Sequence, residues 1–233
     1  MPVPWRWRSQ PFGRGRSARS RSTWLGANLL RLPAVAAARH EISLTIDDGP
    51  DPEITPAVLD LLDAHGARAT FFCIARHAEQ HAALCREIVR RGHSVQNHSY
   101  AHSHTFSLRG PAALRREIGR AQDALAQVTG QRPRYFRAPA GLRNLFLAPV
   151  LHELDLQLAS WTRRGFDTAE RDPAVVLGRL TRGLAAGDIL LLHDHHSART
   201  AAARPVTLDV LPALLQRFQQ DGLRAVTLPE AFA

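Results

Sequence analysis

The 233-residue chain contains no lysine: its thirty basic side chains are all arginine, set against twenty-one acids for a formal charge of +9. Cysteine is nearly absent too. Cys73 and Cys85 are the only two, too few for a disulfide framework and not at metal-ligand spacing, so both read as buried thiols. No apolar run approaches the roughly 18 residues that a membrane-spanning helix needs. Trp5 to Ser22 alternates Arg with Ser, Gly, Trp and Pro and has no periodicity that would bury a face, which reads as disorder. Thr23 to Ala38 is more apolar, but Asn28, Arg31 and Pro33 interrupt it. A clean signal-peptide core is therefore missing, and neither an envelope nor a cytoplasmic location is favoured.

The positive charge is unevenly placed. Residues 1–39 hold eight arginines and no acid, which leaves twenty-two bases against twenty-one acids in the rest. A near-neutral body argues against nucleic acid as its partner. We expect a basic, disordered arm over 1–38 and one domain over 39–233, acting as a monomer.

From residue 40 the chain cycles between apolar strand and amphipathic helix. Strands are expected at Ile42–Ile46, Ala69–Ile74, Val95–Asn97, Tyr135–Phe136, Leu156–Trp161, Ile189–Leu192 and Leu223–Thr227. Helices are expected from Thr55 to Gly66, His77 to Gly92, Pro111 to Thr129, Pro173 to Ala185 and Thr207 to Gln220, several with proline in the first turn and glycine after the last. Seven strands alternating with helices predict a parallel α/β sheet.

The chemistry-bearing residues fall at the carboxyl ends of these strands. Asp47-Asp48 follows the first, His98 and His102 the third, Arg137 the fourth, Trp161 the fifth and His193-Asp194 the sixth. In a closed α/β barrel those ends converge on one face. Two imidazoles four residues apart face one way on a helical turn and can share a metal. With one carboxylate they make three ligands and leave room for water and substrate, the arrangement of a hydrolytic metal centre. The other carboxylate is then free to act as a base, Arg137 can hold it ionised, and a further histidine at 193 can act as the acid. His195 and His196 read as exposed loop residues, Asp194 as a loop anchor.

Thr45-Ile46-Asp47-Asp48-Gly49-Pro50 resembles the first motif of the polysaccharide deacetylases (the NodB-homology, carbohydrate esterase family 4 group). His98-Ser99-Tyr100-Ala101-His102 resembles the second, Arg137-Ala138-Pro139-Ala140-Gly141 the third and Leu191-Leu192-His193 the fifth, in the family's order. The resemblance spans about residues 40–230. It implies a distorted (β/α) barrel and a divalent metal, usually zinc with cobalt or another ion possible, held by Asp48, His98 and His102. It implies Asp47 as base, His193 as acid, Arg137 orienting Asp47, and a backbone N–H near Ala140 stabilising the oxyanion. The fourth motif is looser: Trp161 to Asp167 resembles it, with Asp167 placed to pair with His193, but Thr168 stands where the family has tryptophan. Ala140 stands where many relatives have an aromatic residue, which alters the groove wall at the substrate-binding positions Ala140 and Trp161. The implied activity is hydrolysis of N-acetyl groups on a polysaccharide or oligosaccharide. Two alternatives are the same centre acting on O-acetyl esters or a small non-sugar amide, and a non-catalytic carbohydrate- or nucleic-acid-binding module.

Overall fold

The computed structural model describes residues 25–233; the expected disorder of Trp5–Ser22 lies outside them. The elements run α1 (Ala34–Ala38), β1 (Glu41–Asp47), α2 (Thr55–Ala64), β2 (Ala69–Cys73), α3 (Ala75–Gln80), α4 (Ala82–Arg90), β3 (Ser94–Asn97), α5 (Pro111–Thr129) and β4 (Tyr135–Phe136). They continue with α6 (Leu147–Glu153), β5 (Gln157–Leu158), β6 (Arg163–Arg164), α7 (Pro173–Thr181), β7 (Ile189–His193), α8 (Val206–Gln220), β8 (Arg224–Ala225) and α9 (Leu228–Ala231). Every strand pairing is parallel, in the order β5-β4-β3-β2-β1-β7-β6, with β8 joined to the start of β1. Parallel strands with helices between them aim all their carboxyl ends one way, so β1, β3, β4 and β7 deliver their last residues to one face.

β1 and β7 are interior strands, paired on both sides and buried along their full lengths. This explains why Ile189–Leu192 is a continuous apolar run rather than an alternating one. The largest core cluster joins Leu44, Ile46, Leu190 and Leu192 to α2 through Leu59 and Leu62 and to α8 through Leu211, Leu214 and Leu215. The long helix α5 has the bounds its sequence predicts, with Pro111 in the first turn and Gly130 closing it in the left-handed conformation (φ 72°). Among the described residues no helix is long and apolar enough to cross a membrane.

Three sequence expectations are corrected, and the expected parallel sheet gains one short further strand. The helix expected over His77–Gly92 is two helices, because His81 (φ −120°, ψ 46°) leaves the helical region between them. The expected fifth strand is paired only at Gln157–Leu158, so Trp161 lies between β5 and β6 rather than at a strand end. The two-residue β6 brings the strand count to eight; its Arg-Arg sequence gives no strand signal. The domain also begins before residue 39.

β5 and β6 do not pair with each other, and residues 29–32 bridge the seam from the end of β5 to the residues just before β7. The Leu29 N–H donates to Leu158 O at 2.9 Å, Ser160 N–H donates to Leu29 O at 2.8 Å, and Leu32 N–H donates to Gly187 O at 2.9 Å. Leu29, Leu32 and Ala36 are buried against Ile189, Val226 and Leu228. Arg31 binds the buried Asp188 at 2.8 Å. Part of the stretch expected to be an arm thus stitches the two edges of the distorted barrel together.

Candidate active site

The carboxyl-end face holds a cavity of about 740 Å³, lined by seven of the chain's twelve histidines and by Asp47 and Asp48 as its only carboxylates. β1 ends at Asp47, and Asp48 turns out of the strand with φ 79°, a region that non-glycine residues rarely occupy. Its neighbour Gly49 packs so closely on Asp194 that a Cβ there would lie 2.2 Å from Asp194 Oδ2. The Thr55 hydroxyl donates to that oxygen at 2.6 Å and the His195 N–H donates to the other at 2.8 Å. Asp194 therefore anchors the loop after β7 to the loop after β1, in the role expected of it, and its burial raises its carboxyl to about 7.

His98 and His102 converge, but not on a helical turn. Residues 98–102 form a bent loop in which Ser99 (φ 66°) and His102 (φ 48°) are both left-handed. Side chains hold that backbone: Ser99 N–H donates to Asn97 Oδ1, His102 N–H to Ser99 Oγ, and Ala101 N–H to Glu117 Oε1, at 2.9, 3.0 and 2.9 Å. Strained backbone of this kind clusters at functional sites, where the surrounding structure enforces it.

The ring atoms meet at Asp48. Its Oδ1 lies 3.3 Å from His98 Nε2 and 3.4 Å from His102 Nε2. That oxygen is buried and has no hydrogen-bond partner, and one ligand atom from each of the three residues lies within 4.8 Å of the other two. His98 Nδ1 bonds to the Arg137 carbonyl oxygen at 2.9 Å, which fixes the proton on Nδ1 and points bare Nε2 at Asp48. Burial and the neighbouring His98 lower His102 to about 4, so its imidazole is neutral as a ligand requires. A carboxylate with an orphaned oxygen and two neutral-capable imidazoles is the donor set for a divalent cation, and these residues fit one.

The second oxygen of Asp48 is occupied by His196, expected only as an exposed loop residue. His196 Nδ1 lies 2.8 Å from Asp48 Oδ2. Burial opposes ionisation of Asp48, but the hydrogen bond from His196 and the proximity of His98 outweigh it and hold the carboxyl well below its usual range. His195 likewise pairs with Asp51 at 2.8 Å, and His77 bonds the Asp48 carbonyl at 2.9 Å. His196 is exposed as expected and His195 half-buried, yet both are engaged with carboxylates. The His193-Asp194-His195-His196 run was the only sequence signal for this; the pairing depends on where the loop folds.

Asp47 is set apart from that cluster by Arg137, which is fully buried and lies over the Phe72 ring at 4.1 Å. Arg137 Nη1 donates to Asp47 Oδ1 at 2.6 Å and to Thr45 Oγ1 at 2.7 Å, and Nη2 donates to Ser160 O at 2.9 Å. The other oxygen, Oδ2, stands 3.7 Å from His98 Nε2 on the cavity side. His193 follows from the end of β7. Its Nδ1 bonds Asp167 Oδ1 at 3.0 Å, and its backbone N–H donates to Asp167 Oδ2 at 2.7 Å. Burial disfavours the charged imidazole, but the Asp167 carboxylate outweighs it and raises His193 to about 9. Asp167, expected only from a loose motif, is buried and also accepts from Thr207 Oγ1 at 3.1 Å.

Ala140 and Trp161 form another part of the wall. Ala140 is exposed and left-handed (φ 54°) in the short turn Pro139–Gly141. The Trp161 ring closes on Gly141 so tightly that a Cβ there would sit 2.7 Å from Cη2. All nine residues expected at the site thus lie on one face. Asp47, Asp48, His98, His102, His193, Ala140 and Trp161 line the cavity directly, while Arg137 and Asp167 stand behind Asp47 and His193.

Residues 34–159 match the family described as polysaccharide deacetylase. The chain belongs to the polysaccharide deacetylase family. It is 31% identical over 198 residues to the chitooligosaccharide deacetylase of Azorhizobium caulinodans, covering 82% of this chain and 94% of that one. It is 29% identical over 205 residues to the peptidoglycan-N-acetylglucosamine deacetylase PgdA of Listeria monocytogenes, covering 87% of this chain but only 41% of that protein, so it spans about two-fifths of that relative's length. Among solved structures, a family 4 carbohydrate esterase from Streptomyces lividans in complex with acetate superposes with a TM-score of 0.71 at 32% identity, covering 79% of this chain and 91% of that one. The deacetylase family match ends at residue 159; Asp167 and His193 lie beyond it, and the geometry pairs them as the looser motif resemblance implies.

Proposed function

We propose that this polysaccharide deacetylase family member hydrolyses the acetamido group of an N-acetylated amino sugar in a glycan, releasing acetate and a free amine. The observation that carries this reading is the pairing of two differently supported groups across one cavity: Asp47, bonded to a buried arginine, and His193, bonded to a buried aspartate. The names of the Azorhizobium and Listeria relatives, both sugar N-deacetylases, support the same class of reaction.

Asp48, His98 and His102 would hold a divalent metal, most simply zinc given two imidazoles and a carboxylate. When bound, the metal supplies positive charge to polarise the acetyl carbonyl and make water more acidic. Asp47 has one oxygen committed to Arg137, so Oδ2 is the atom that takes a proton from the attacking water. Arg137 keeps the carboxylate oriented. The collapse of the tetrahedral species requires a proton on the nitrogen, because an amide anion is a very poor leaving group. His193 gives that proton from Nε2, since Asp167 holds Nδ1. With its ionisation raised to about 9, the imidazolium is available at neutral pH. We assign the Ala140 backbone N–H to the developing oxyanion, and Trp161 to the wall against which the sugar ring rests.

The test is acetate release from N-acetylglucosamine oligomers. The proposal predicts release that stops when a chelator removes the metal and returns with Zn²⁺ or Co²⁺. Release that continues undiminished in the chelator-stripped protein would overturn the metal-assisted reading.

A further inference from the structure

Four of the seven large apolar side chains that stand exposed among the described residues come from two loops beside the cavity mouth. Leu108 is 82% exposed, Leu145 62%, Leu142 55% and Phe146 49%. Asn144 ties the two loops together: its Nδ2 donates to Ser107 O at 3.0 Å and to Arg109 O at 2.9 Å, one on each side of Leu108. Its Oδ1 accepts from the Phe146 N–H at 3.0 Å. The four side chains are thus held out on fixed backbone as one patch, which marks an interaction surface more than scattered exposure does. None of them lines the cavity, although their loops continue directly from residues that do, His104 and Thr105 in one and Ala140 and Gly141 in the other.

The loops carry arginine and no acid. Residues 103–116 and 133–152 contain neither Asp nor Glu, and Arg143 lies between Leu142 and Leu145. Glu117, on α5 beside them, is committed to Arg109 at 2.8 Å and to the Ala101 N–H at 2.9 Å. A second basic stretch arrives at the same place. Gly26 packs so closely on Ala148 that a Cβ there would overlap that of Ala148, so the chain before it reaches the body at the first turn of α6, just past Phe146. Residues 1–24 hold six Arg and three Trp and no acid. Arginine meets anionic headgroups, tryptophan settles at the boundary between headgroup and hydrocarbon, and exposed Leu and Phe bury among the upper acyl chains.

We propose that this face docks onto an anionic lipid surface, with Leu108, Leu142, Leu145 and Phe146 in the acyl boundary and Arg143 and the arginines of residues 1–24 on the headgroups. The cavity mouth then opens beside the headgroups, which suits a glycan held at that surface. A second copy of the chain would set arginine against arginine, and like charges across an interface suppress pairing. A nucleic acid would supply the negative charge but no apolar layer in which the leucines could bury.

The docking does not depend on the deacetylase reading, so binding alone tests it. The full-length protein is cosedimented with phosphatidylcholine vesicles containing roughly 30 mol% phosphatidylglycerol and with vesicles of phosphatidylcholine only. It should bind the anionic vesicles about 100-fold more tightly, with the difference shrinking at high salt. Arg14→Gln, Arg16→Gln, Arg19→Gln and Arg21→Gln together should remove most of that factor. Leu145→Ser with Phe146→Ser should weaken binding to the anionic vesicles about ten-fold and leave the unfolding temperature unchanged, because both side chains are exposed. Val175→Ser, an exposed apolar position on α7, should change neither. Equal binding to both kinds of vesicle, binding to neither, or undiminished binding by the Leu145–Phe146 double variant would overturn the proposal. A wild-type dimer in lipid-free buffer that the same double variant abolishes would give the face to a second copy and equally overturn it.

Discussion

The two ends of the central strands both bury carboxylates, and they treat them in opposite ways. At the amino end, Glu41 is held by Arg39 at 2.8 Å and also by Arg224, and Asp188 by Arg31 at 2.8 Å and also by Arg163. Each acid there has two guanidinium partners, although Asp188 Oδ1 meets Arg31 as an ion pair without an aligned hydrogen bond. At the carboxyl end, Asp47 has one arginine and keeps Oδ2 toward the cavity, while Asp48 keeps a buried oxygen without any partner. Asp48, Ser99, His102 and Ala140 are all left-handed around the cavity, against only His40, among non-glycine residues, beside Glu41 at the amino end. A buried acid neutralised by two guanidinium groups stabilises a fold, whereas one that faces a cavity from strained backbone is held ready for something the chain does not contain.

If that contrast is sound, mutations at the two ends should fail differently. The largest stability effect belongs to the amino end. Asp188→Asn leaves Arg31 and Arg163 without their shared partner and should cost roughly 3 kcal/mol, about 10 °C in Tm. In protein that remains folded, kcat should stay near the wild-type value. Thermal unfolding and acetate release measured on the same sample would show whether stability and chemistry separate. A Tm that does not move would place Asp188 outside the load on the seam.

The next effect is at the carboxyl end and concerns metal rather than fold. His196→Ala frees Asp48 Oδ2, and residues that orient a ligand in this way typically contribute about 10-fold or more to metal affinity. Competition with a chromophoric chelator should show that weakening, with little change in unfolding temperature. An affinity equal to wild type would reduce the His196 contact to packing.

The smallest effect is a displaced pH limb. Asp167 raises His193 from 6.5 to about 9, so the acid stays protonated through neutral pH. Asp167→Asn removes the stabilising carboxylate, and burial then favours the neutral ring. The alkaline limb of kcat/KM should move to lower pH, with activity lost as pH rises through the lowered ionisation rather than near 9. An unmoved limb would mean that another group sets it.

How much of this was legible in the sequence follows from the same contrast. Asp47, Asp48, His98, His102, Arg137 and His193 each sit at a fixed offset from an apolar strand, so strand periodicity alone brought them to one face. Helix α5 was legible because Pro111 and Gly130 mark both its ends. Helix α9 was missed although Thr227-Leu228-Pro229-Glu230 carries its capping-box signature, with both reciprocal bonds formed. His196 on Asp48 and residues 29–32 in the seam were not legible. Both depend on where a loop or a terminal segment settles after the sheet has formed, and neither has a periodicity of its own. The His98–His102 pair was located correctly for the wrong local reason, since side-chain bonds to a left-handed loop do what a helical turn was expected to do.

The central claim is that the carboxyl end separates metal holding from proton transfer, with Asp48 serving the first and Asp47 the second. The most direct test is Asp47→Asn, with Co²⁺ binding followed by absorption and acetate release followed on the same preparation. We predict Co²⁺ affinity and spectrum close to wild type together with a fall in kcat of about 10³-fold, within the range for removing a general base. Acetate release at the parental rate, or loss of Co²⁺ binding together with activity, would contradict that division of labour.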